Sequence, residues 1–343
     1  MQMVTLRDIA RAAGVSTMTV SNVVNNNLSK VSEENATRIR ALIKEMGYVP
    51  NSSARSLAKR SSKIIALILR GRPDENALEN PHNAILVGTM IQMIQQRGYY
   101  AMLSIMDSKD EISKSLQTWN AEGAIFLGMF DNEIETLCRS SDIPMIFVDS
   151  YSTLRQLSNV GINDYKGGYL AAKHFIEHGH HNLAFVGPQV LGNGVVQHRF
   201  SGFCDALSEY DLSLPKENIF AIKSATEQSS IAKIGEAIAL YRKDITGIFV
   251  TSDEIAAFLI QSLRNAGAKV PADFSVIGFD DLVVCQQMHP QLTTISQDLE
   301  QKGKLAIEIL FHKLADPLAP AESLILDVEL VERESVITLE SEL

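Results

Sequence analysis

The stretch TLRDIARAAGVSTMTVSNVVNN, residues 5–26, contains two short helical patterns separated by a glycine. In the first, Thr5 is a candidate N-cap, and apolar residues recur on one helical face until Gly14 interrupts the pattern. In the second, Ser16 is a candidate N-cap for a helix over residues 17–24. Its inward face is Val20, Val23 and Val24. The stretch therefore predicts a helix, a turn and a second helix.

A third amphipathic pattern follows, with Ser32 as its candidate N-cap and Gly47 at its end. Its inward residues are Ile39, Leu42, Ile43 and Met46. Three helices of this kind can share one small core, which predicts an all-α helix-turn-helix head over residues 1–50. The second helix turns Thr17, Met18, Ser21 and Asn22 outward. Short and amide side chains suit DNA base edges, although any small three-helix domain could show the same periodicity.

The charge of the chain is unevenly distributed. The first 60 residues carry nine basic and four acidic side chains, a net charge of +5. The remaining residues carry 22 basic and 37 acidic side chains, a net charge of −15 within a total of −10. A small basic head on an acidic body is typical of a DNA-binding protein, because phosphate neutralisation is local. Charge alone equally fits a solvated charge run.

The body of the chain alternates short apolar runs with helical patterns. These runs are residues 64–69, 101–105, 123–128, 144–149, 182–187, 247–253 and 274–281. Runs that are apolar on both faces indicate parallel strands covered by helices, and their number predicts two doubly wound sheets. Ligands of such sheets bind beyond the carboxyl ends of strands. The polar residues found there are Arg70, Asp149, Ser252, Asp253, Asp280 and Asp281.

Composition and motifs exclude several classes of protein. The length of 343 residues predicts two or three domains. The content of 45% apolar and 21% charged residues is ordinary for a globular protein. It contains no run near the ~18 apolar residues of a membrane span and begins without a secretion signal, so we expect a cytoplasmic protein with no membrane partner. Its three cysteines are widely spaced and are expected to be core thiols. Phosphate-loop, nucleophile-elbow and dinucleotide motifs are absent from the sequence, which predicts neither an enzyme nor a cofactor.

A histidine cluster lies in the middle of the body. It comprises His174, His178, His180 and His181. Zinc needs three or four convergent ligands with oriented partners, and the segment also fits an ordinary helix end before a strand. The sequence therefore predicts no metal site here.

The first 60 residues resemble the N-terminal domain of the lactose and galactose repressor family. The resemblance lies in VTLRDIARAAGVSTMTVSNVVNN and in KVSEENATRIRALIKEMGYVPNSSARSLA. It implies that the second helix enters the major groove of DNA and that base readers are Thr17, Met18 and Asn22, with Ser21 beside them. The implied phosphate contacts are Thr5, Ser16, Thr19 and Asn25. Asn22 departs from the arginine or histidine often seen there, so the half-site sequence cannot be transferred.

Residues 51–62 match the hinge of that family. The segment NSSARSLA is too short for a helix that is stable alone in water. The resemblance implies a hinge helix that folds on DNA and wedges Leu57 into the minor groove. The alternative is a linker in which Leu57 packs under the head.

The body resembles the core of the same family, which is similar to periplasmic sugar-binding proteins. The motifs are GGYLAAKHFIEHGHHNLAFVG, HRFSGFCDAL, FSVIGFDD, HPQLTTISQD and LVERES. They imply a periplasmic-binding-protein-like α/β core over residues 63–343, with a ligand between two lobes. We expect the first lobe from about 63–161 plus 294–321, and the second from about 162–293 plus 322–343.

The resemblance also implies an effector site. Arg199 matches an arginine that grips ligand oxygens, and Asp280 would accept from paired hydroxyls. Asp149, Ser252 and Gln297 fall at further contact positions. Arg199 could instead form a surface ion pair, and Asp280 could cap a turn.

Arg70 and Arg72 leave the charge of the ligand open. Two guanidiniums after a strand could neutralise an acidic sugar or sugar phosphate, or they could point to solvent. The residues and the resemblance together predict a homodimeric repressor of carbohydrate genes that a sugar-like effector releases from a palindromic operator. The alternatives are control by a partner protein or corepressor, and a sugar-binding protein without DNA function.

Overall fold

The computed structural model describes residues 4–48, 61–71, 76–106, 108–129, 131–151, 157–190, 194–222, 228–242 and 244–340. The chain forms two compact units, Met1–Ser62 and Lys63–Leu343. The described residues contain no helix that is long and apolar enough to cross a membrane.

Within residues 4–48, the first unit is a three-helix head. Its helices are α1 (Leu6–Ala13), α2 (Thr17–Val24) and α3 (Glu33–Glu45), with a 3₁₀ turn at Leu28–Lys30. A reciprocal capping box begins α1, because the Thr5 hydroxyl accepts from the Asp8 amide and the Asp8 carboxylate accepts from the Thr5 amide. Gly14 ends α1 in the left-handed conformation at φ +64°, where a side chain would be strained. The predicted caps and helices are confirmed.

The core of the head is formed by all three helices. Its buried side chains are Ile9, Ala10, Ala13, Val20, Val23, Ala36, Ile39 and Tyr48. The period of apolar residues indicates all of these except Tyr48, which follows the last helix and adds an aromatic ring to the cluster.

The second unit consists of strands and helices in alternation. The strands are β1 (Ile64–Arg70), β2 (Tyr100–Met106), β3 (Gly123–Leu127), β4 (Met145–Val148), β5 (Ser158–Ile162), β6 (Leu183–Pro188), β7 (Ile219–Ile222), β8 (Gly247–Val250), β9 (Ser275–Asp280), β10 (Thr293–Ser296), β11 (Ser323–Leu326) and β12 (Glu329–Val331). The helices are α4 (Pro81–Gln96), α5 (Lys109–Trp119), α6 (Asp131–Ser140), α7 (Asp164–Glu177), α8 (Val195–Glu209), α9 (Gln228–Tyr241), α10 (Asp253–Asn265), α11 (Val284–Gln287) and α12 (Leu299–Ala315). A 3₁₀ turn spans Lys216–Asn218.

The strands form two separate sheets, as predicted. The first has the order β11-β5-β4-β3-β1-β2 and is parallel throughout. The second has the order β12-β10-β9-β8-β6-β7, and only β12 runs antiparallel. In β1, Ile65, Leu67 and Leu69 pack on one face while Ala66 and Ile68 pack on the other. Burial on both faces explains why these strands appear as continuous apolar runs.

The chain crosses between the two lobes three times. It leaves the first sheet after Ile162, leaves the second after Ser296 and leaves the first again after Leu326. The sequence placed the later crossings near residues 294 and 322, which would have put β10 with the first lobe and β11 with the second. Strand pairing decides otherwise, because β10 pairs with β9 and β11 pairs with β5.

The expectation of three core thiols is wrong for two of them. Cys285 is buried, whereas Cys204 is half-buried and Cys138 is exposed. Cys138 lies in α6, a helix on the outside of the first lobe, where an apolar residue can remain partly in contact with water.

Candidate functional site

The start of α2 is an exposed, polar part of the head. Ser16 and Thr17 are exposed, and Met18 is 69% exposed although it is a large apolar residue. The helix carries no acidic or basic side chain in its first or last turn. The N-terminus of a helix has a partial positive charge, so this end of α2 suits the phosphates and base edges of DNA.

Most of the polar residues predicted to contact DNA are held by bonds within the head. The Ser16 hydroxyl accepts from the Thr19 amide at 3.1 Å and lies 2.9 Å from the Thr19 hydroxyl. The Asn25 amide donates to the Ser21 carbonyl at 2.8 Å. These bonds fix the side chains in place before any contact is made.

Asn22 and Leu57 differ from these residues. Asn22 is half-buried, and its side chain makes no hydrogen bond within the described head. Its amide therefore keeps both its donor and its acceptor for a base edge. Leu57 and residues 49–60 lie outside the described residues, so the hinge remains a prediction.

Exposed cations surround the helices of the head. They are Arg7, Arg11, Lys30, Arg38, Arg40 and Lys44. Such side chains can neutralise phosphates of the DNA backbone.

A cavity of about 680 Å³ lies in the second unit between the carboxyl ends of the two sheets. The predicted residues that line it are Arg70, Asp149, Arg199, Ser252 and Asp280. They come from five separate segments of the chain. Gln297 is placed behind this surface, where its Nε2 donates to Asp280 at 2.5 Å.

Arg199 is fixed on three sides. Its Nε donates to Asp164 at 2.7 Å, its Nη1 donates to the Thr251 carbonyl at 2.6 Å, and its guanidinium carbon lies 3.5 Å from the centroid of the Phe279 ring. The side chain is 7% exposed, so Arg199 forms a buried ion pair and not a surface one. Burial opposes its charge, but the carboxylates around it raise the pKa of Arg199. The Nη2 group has no partner among the described residues and can meet a ligand oxygen.

Asp164 and Tyr151 orient this arginine. The Tyr151 hydroxyl donates to Asp164 at 2.5 Å, and Asp164 is buried. Burial raises the pKa of Asp164, and the guanidinium of Arg199 counteracts that rise. The sequence analysis did not single out Asp164. Its position at the start of a helix beside a lobe crossing was the available signal.

A second network connects the two lobes. The fully buried Lys302 donates to both oxygens of Asp149 at 2.8 Å and to Gln297 Oε1 at 2.6 Å. Gln297 in turn donates to Asp280. Lys302 and Asp149 belong to the first lobe, and Asp280 belongs to the second. Gln297 lies on a connection between the lobes, so the network crosses the cleft.

Burial affects the two carboxylates of the cavity differently. Burial alone would raise the pKa of Asp149, but Lys302 and His82 hold it below its usual value. Asp280 has no ammonium partner, and burial raises its pKa to about 6. Asp280 also has a positive φ of +115°, which turns its backbone at the end of β9.

His82 lines the cavity together with Ser252 and Arg70. His82 Nε2 lies 3.7 Å from Asp149, and burial followed by the charge of Lys302 lowers the pKa of His82, so the imidazole is neutral. The sequence analysis did not identify His82. A signal was available, because Asn80 as N-cap and a proline at the first helical position predict that a helix starts there and that His82 lies in its first turn. Ser252 caps α10 through a 3.4 Å bond from the Ile255 amide. Arg70 is exposed.

Asp281, which the sequence placed beyond the end of a strand, accepts from Arg333 at 2.6 Å. It lies at φ +57° directly after Asp280, so it does occupy a turn while forming an ion pair away from the cavity. The cavity therefore presents one oriented guanidinium, one imidazole and two carboxylates. Alternating donors and acceptors of this kind suit a ligand with several hydroxyl groups.

A helix-turn-helix head and a two-lobed α/β core with a polar cleft define the class of ligand-responsive transcriptional regulators. The family model for bacterial regulatory proteins of the lacI family matches residues 5–51, and a model for a periplasmic binding protein-like domain matches residues 172–336. The chain is 30% identical to the ribose operon repressor of Haemophilus influenzae, over 98% of this chain and 100% of that protein. The chain belongs to the lacI family. The relative named above is a transcriptional repressor and not an enzyme.

Two solved structures share the fold of this chain. The Lac repressor dimer bound to operator and the anti-inducer ONPF superimposes with a TM-score of 0.85, at 24% identity over 98% of this chain and 100% of that chain. A lacI-family regulator from Enterococcus faecium with bound ribose superimposes with a TM-score of 0.70, at 25% identity over 81% of this chain and 100% of that chain. The fold of the Lac repressor covers nearly the whole chain.

Proposed function

We propose that this protein represses carbohydrate-utilisation genes in the bacterial cytoplasm and that a neutral monosaccharide bound in the cleft releases it from a palindromic operator. The observation that carries the proposal is the cleft itself, where the oriented Arg199 faces the acceptors Asp149 and Asp280. A neutral ligand fits because the two buried cations at the cavity are each paired with a carboxylate, Arg199 with Asp164 and Lys302 with Asp149. No step requires a cofactor or a chemical reaction.

The reading of operator DNA is assigned to the exposed start of α2. Thr17, Met18, Ser21 and Asn22 would reach base edges, while Thr5, Ser16, Thr19 and Asn25 would position the helix on phosphates. One head contacts few base pairs, so two heads of a homodimer would read two half-sites. Leu57 of each hinge would enter the minor groove between them.

The DNA assignment is tested by selecting a duplex that the protein binds and by measuring its affinity for two variants. Asn22→Ala should weaken binding about tenfold or more, since a good base contact contributes about 1–3 kcal/mol. Thr37→Ala is the matched control, because Thr37 is exposed on α3 and its hydroxyl bonds only to Glu33 of the same helix. Equal affinities of the two variants would contradict the assignment. Leu57→Ala should reduce operator affinity and leave ligand affinity unchanged.

The effector is tested by thermal shift and calorimetry with D-ribose, other pentoses, hexoses, sugar phosphates and purines. D-ribose comes first, since one relative is a ribose operon repressor and one neighbour binds ribose. Arg199→Lys should lose at least tenfold in affinity, because an ammonium cannot keep the Asp164 and Thr251 bonds while donating to the ligand. Arg139→Lys on exposed α6 is the control.

The panel also separates the alternatives. A neutral sugar that weakens operator binding, with a coupling of about 1–3 kcal/mol, would support the proposal. Binding of sugar phosphates only would assign Arg70, which lines the cavity, to the binding of the phosphate. A ligand that strengthens DNA binding would be a corepressor. If none of these compounds binds while the operator is still bound, control by a partner protein replaces the proposal.

A further inference from the structure

The end of α7 brings together groups that are far apart in the sequence. One ligand atom from each of His174, His178 and Glu332 lies within 4.8 Å of the others. The two histidines are four residues apart and therefore share one face of the helix, with their ring centroids 4.1 Å apart. Glu332 directly follows β12, an edge strand of the second sheet. We propose that these three side chains form a binding site for a divalent transition metal, of which zinc is the best match.

The hydrogen bonds of His178 prepare it for this role. Its Nδ1 lies 2.8 Å from the carbonyl oxygen of His174. Because a carbonyl can only accept, Nδ1 must carry the proton, and Nε2 is left with its lone pair. A backbone carbonyl on one ring nitrogen is the usual outer partner of a histidine that binds metal through the other nitrogen.

A buried ring nitrogen of His174 also supports a metal site. The residue is 7% exposed, and its Nε2 is buried without a hydrogen-bond partner among the described residues. A buried polar atom of this kind costs free energy unless something binds it. A metal ion held jointly with His178 would supply the missing partner.

The third group completes a set that suits zinc. Two imidazoles and one carboxylate are nitrogen and oxygen ligands that zinc accepts, and three protein ligands leave a fourth position for water. Glu332 is exposed, so the ion has access from solvent. The sequence predicts no metal site at these histidines, because Glu332 is distant from them along the chain and reaches them only through the pairing of β12 with β10.

Binding there would fasten the last described segment of the chain to the second lobe. That segment already contacts the same helix end, since the Leu339 amide donates to the His178 carbonyl at 2.9 Å and His180 Nε2 lies 2.8 Å from the Ile337 carbonyl. A metal bound to the folded state only would raise the melting temperature by mass action. The expected role is therefore structural, at a place separate from the effector cleft.

The test uses the full chain without a histidine tag. Zinc is measured by calorimetry and by thermal shift, and cobalt is used as a probe because a four-coordinate cobalt site absorbs visible light. We expect one zinc per chain and a rise in melting temperature of about 5 °C at saturating metal. His178→Ala and Glu332→Gln should each weaken binding at least tenfold, and His178→Ala should also abolish the cobalt spectrum.

The control is His289→Ala. His289 lies 3.4 Å from Glu334 and is also exposed, but it is not part of the described three-residue cluster, so its loss should leave zinc binding unchanged. His178 is preferred to His174 for the main variant because it is only half-buried and its loss should not prevent folding. Absence of stoichiometric zinc binding would overturn the proposal, as would equal affinities of the His178 and His289 variants.

Discussion

Replacement of Lys302 by methionine should destabilise the first lobe strongly. The ammonium is completely buried and donates to Asp149 and Gln297. Its removal leaves a carboxylate that is only 14% exposed and faces the neutral imidazole of His82 at 3.7 Å. Breaking a buried ion pair by removal of one partner costs about 3–5 kcal/mol. Methionine has nearly the length of lysine, so most of the loss should come from the unpaired Asp149 and little from a cavity.

The pH dependence identifies the source of this loss. In the parent, the pKa of Asp149 is below its usual value, so its contribution is present at neutral pH and falls only in acid. Without Lys302, burial should instead raise the pKa of Asp149 above its value in the unfolded chain. The penalty should then be largest at pH 8 and should shrink as the pH falls to 5, because protonation removes the buried charge. Lys302→Met combined with Asp149→Asn should lose this pH dependence.

Urea unfolding followed by tryptophan fluorescence measures the effect. Trp119 is the single tryptophan and packs against the core of the first lobe, so the signal reports on the lobe that contains the mutation. Lys304→Met is the matched control, since Lys304 lies on the same helix but is exposed and pairs only with Glu300 at 3.4 Å. Equal stability of the two variants, or a penalty at pH 5 equal to that at pH 8, would contradict the assigned role of Lys302.

Three further predictions concern the helices and the cleft. Gly168→Ala should cost about 3 kcal/mol and weaken effector binding, because a methyl group there would meet the Arg199 carbonyl. Gly88→Ala, with open space around it, is the control, and urea unfolding is followed by circular dichroism, which reports on both lobes. Ser16→Ala should remove the cap of α2, and a loss of about 1 kcal/mol would show as roughly fivefold faster hydrogen exchange in that helix. Monosaccharide affinity should fall between pH 7.5 and pH 5, since the pKa of Asp280 is about 6 and its neutral form accepts hydroxyls poorly. Calorimetry at both pH values checks this, and Asp280→Asn should show a flat profile.

Local patterns were sufficient wherever neighbouring residues decide the structure. The caps Thr5, Ser16 and Ser32 lie where a serine or threonine precedes an apolar period, and the structure begins its helices there. The seven strongly apolar runs all became strands, because burial on both faces leaves a clear signal. Five strands were missed. The edge strands β7, β11 and β12 are short, partly exposed and carry mixed side chains. The inner strands β5 and β10 are buried but short, and serine, asparagine and threonine interrupt their apolar pattern.

The candidate site shows a similar division. The rule that ligands bind beyond strand ends found Arg70, Asp149, Ser252 and Asp280, all of which line the cavity. It could not find Lys302, which lies inside a helix and resembles any other helical lysine in the sequence. Only the packing of that helix against the first sheet brings its ammonium to Asp149.

The sequence by itself determined the class of the protein, the helix-turn-helix head, the two-sheet body and the residues at most strand ends. These depend on period, caps and charge, which act over a few residues. Only the tertiary structure decided where the chain crosses between lobes, how Arg199 and Lys302 are paired, and that Glu332 lies beside His174. Such contacts join residues more than 30 positions apart, and nothing in a local pattern specifies which distant segment will pack against it.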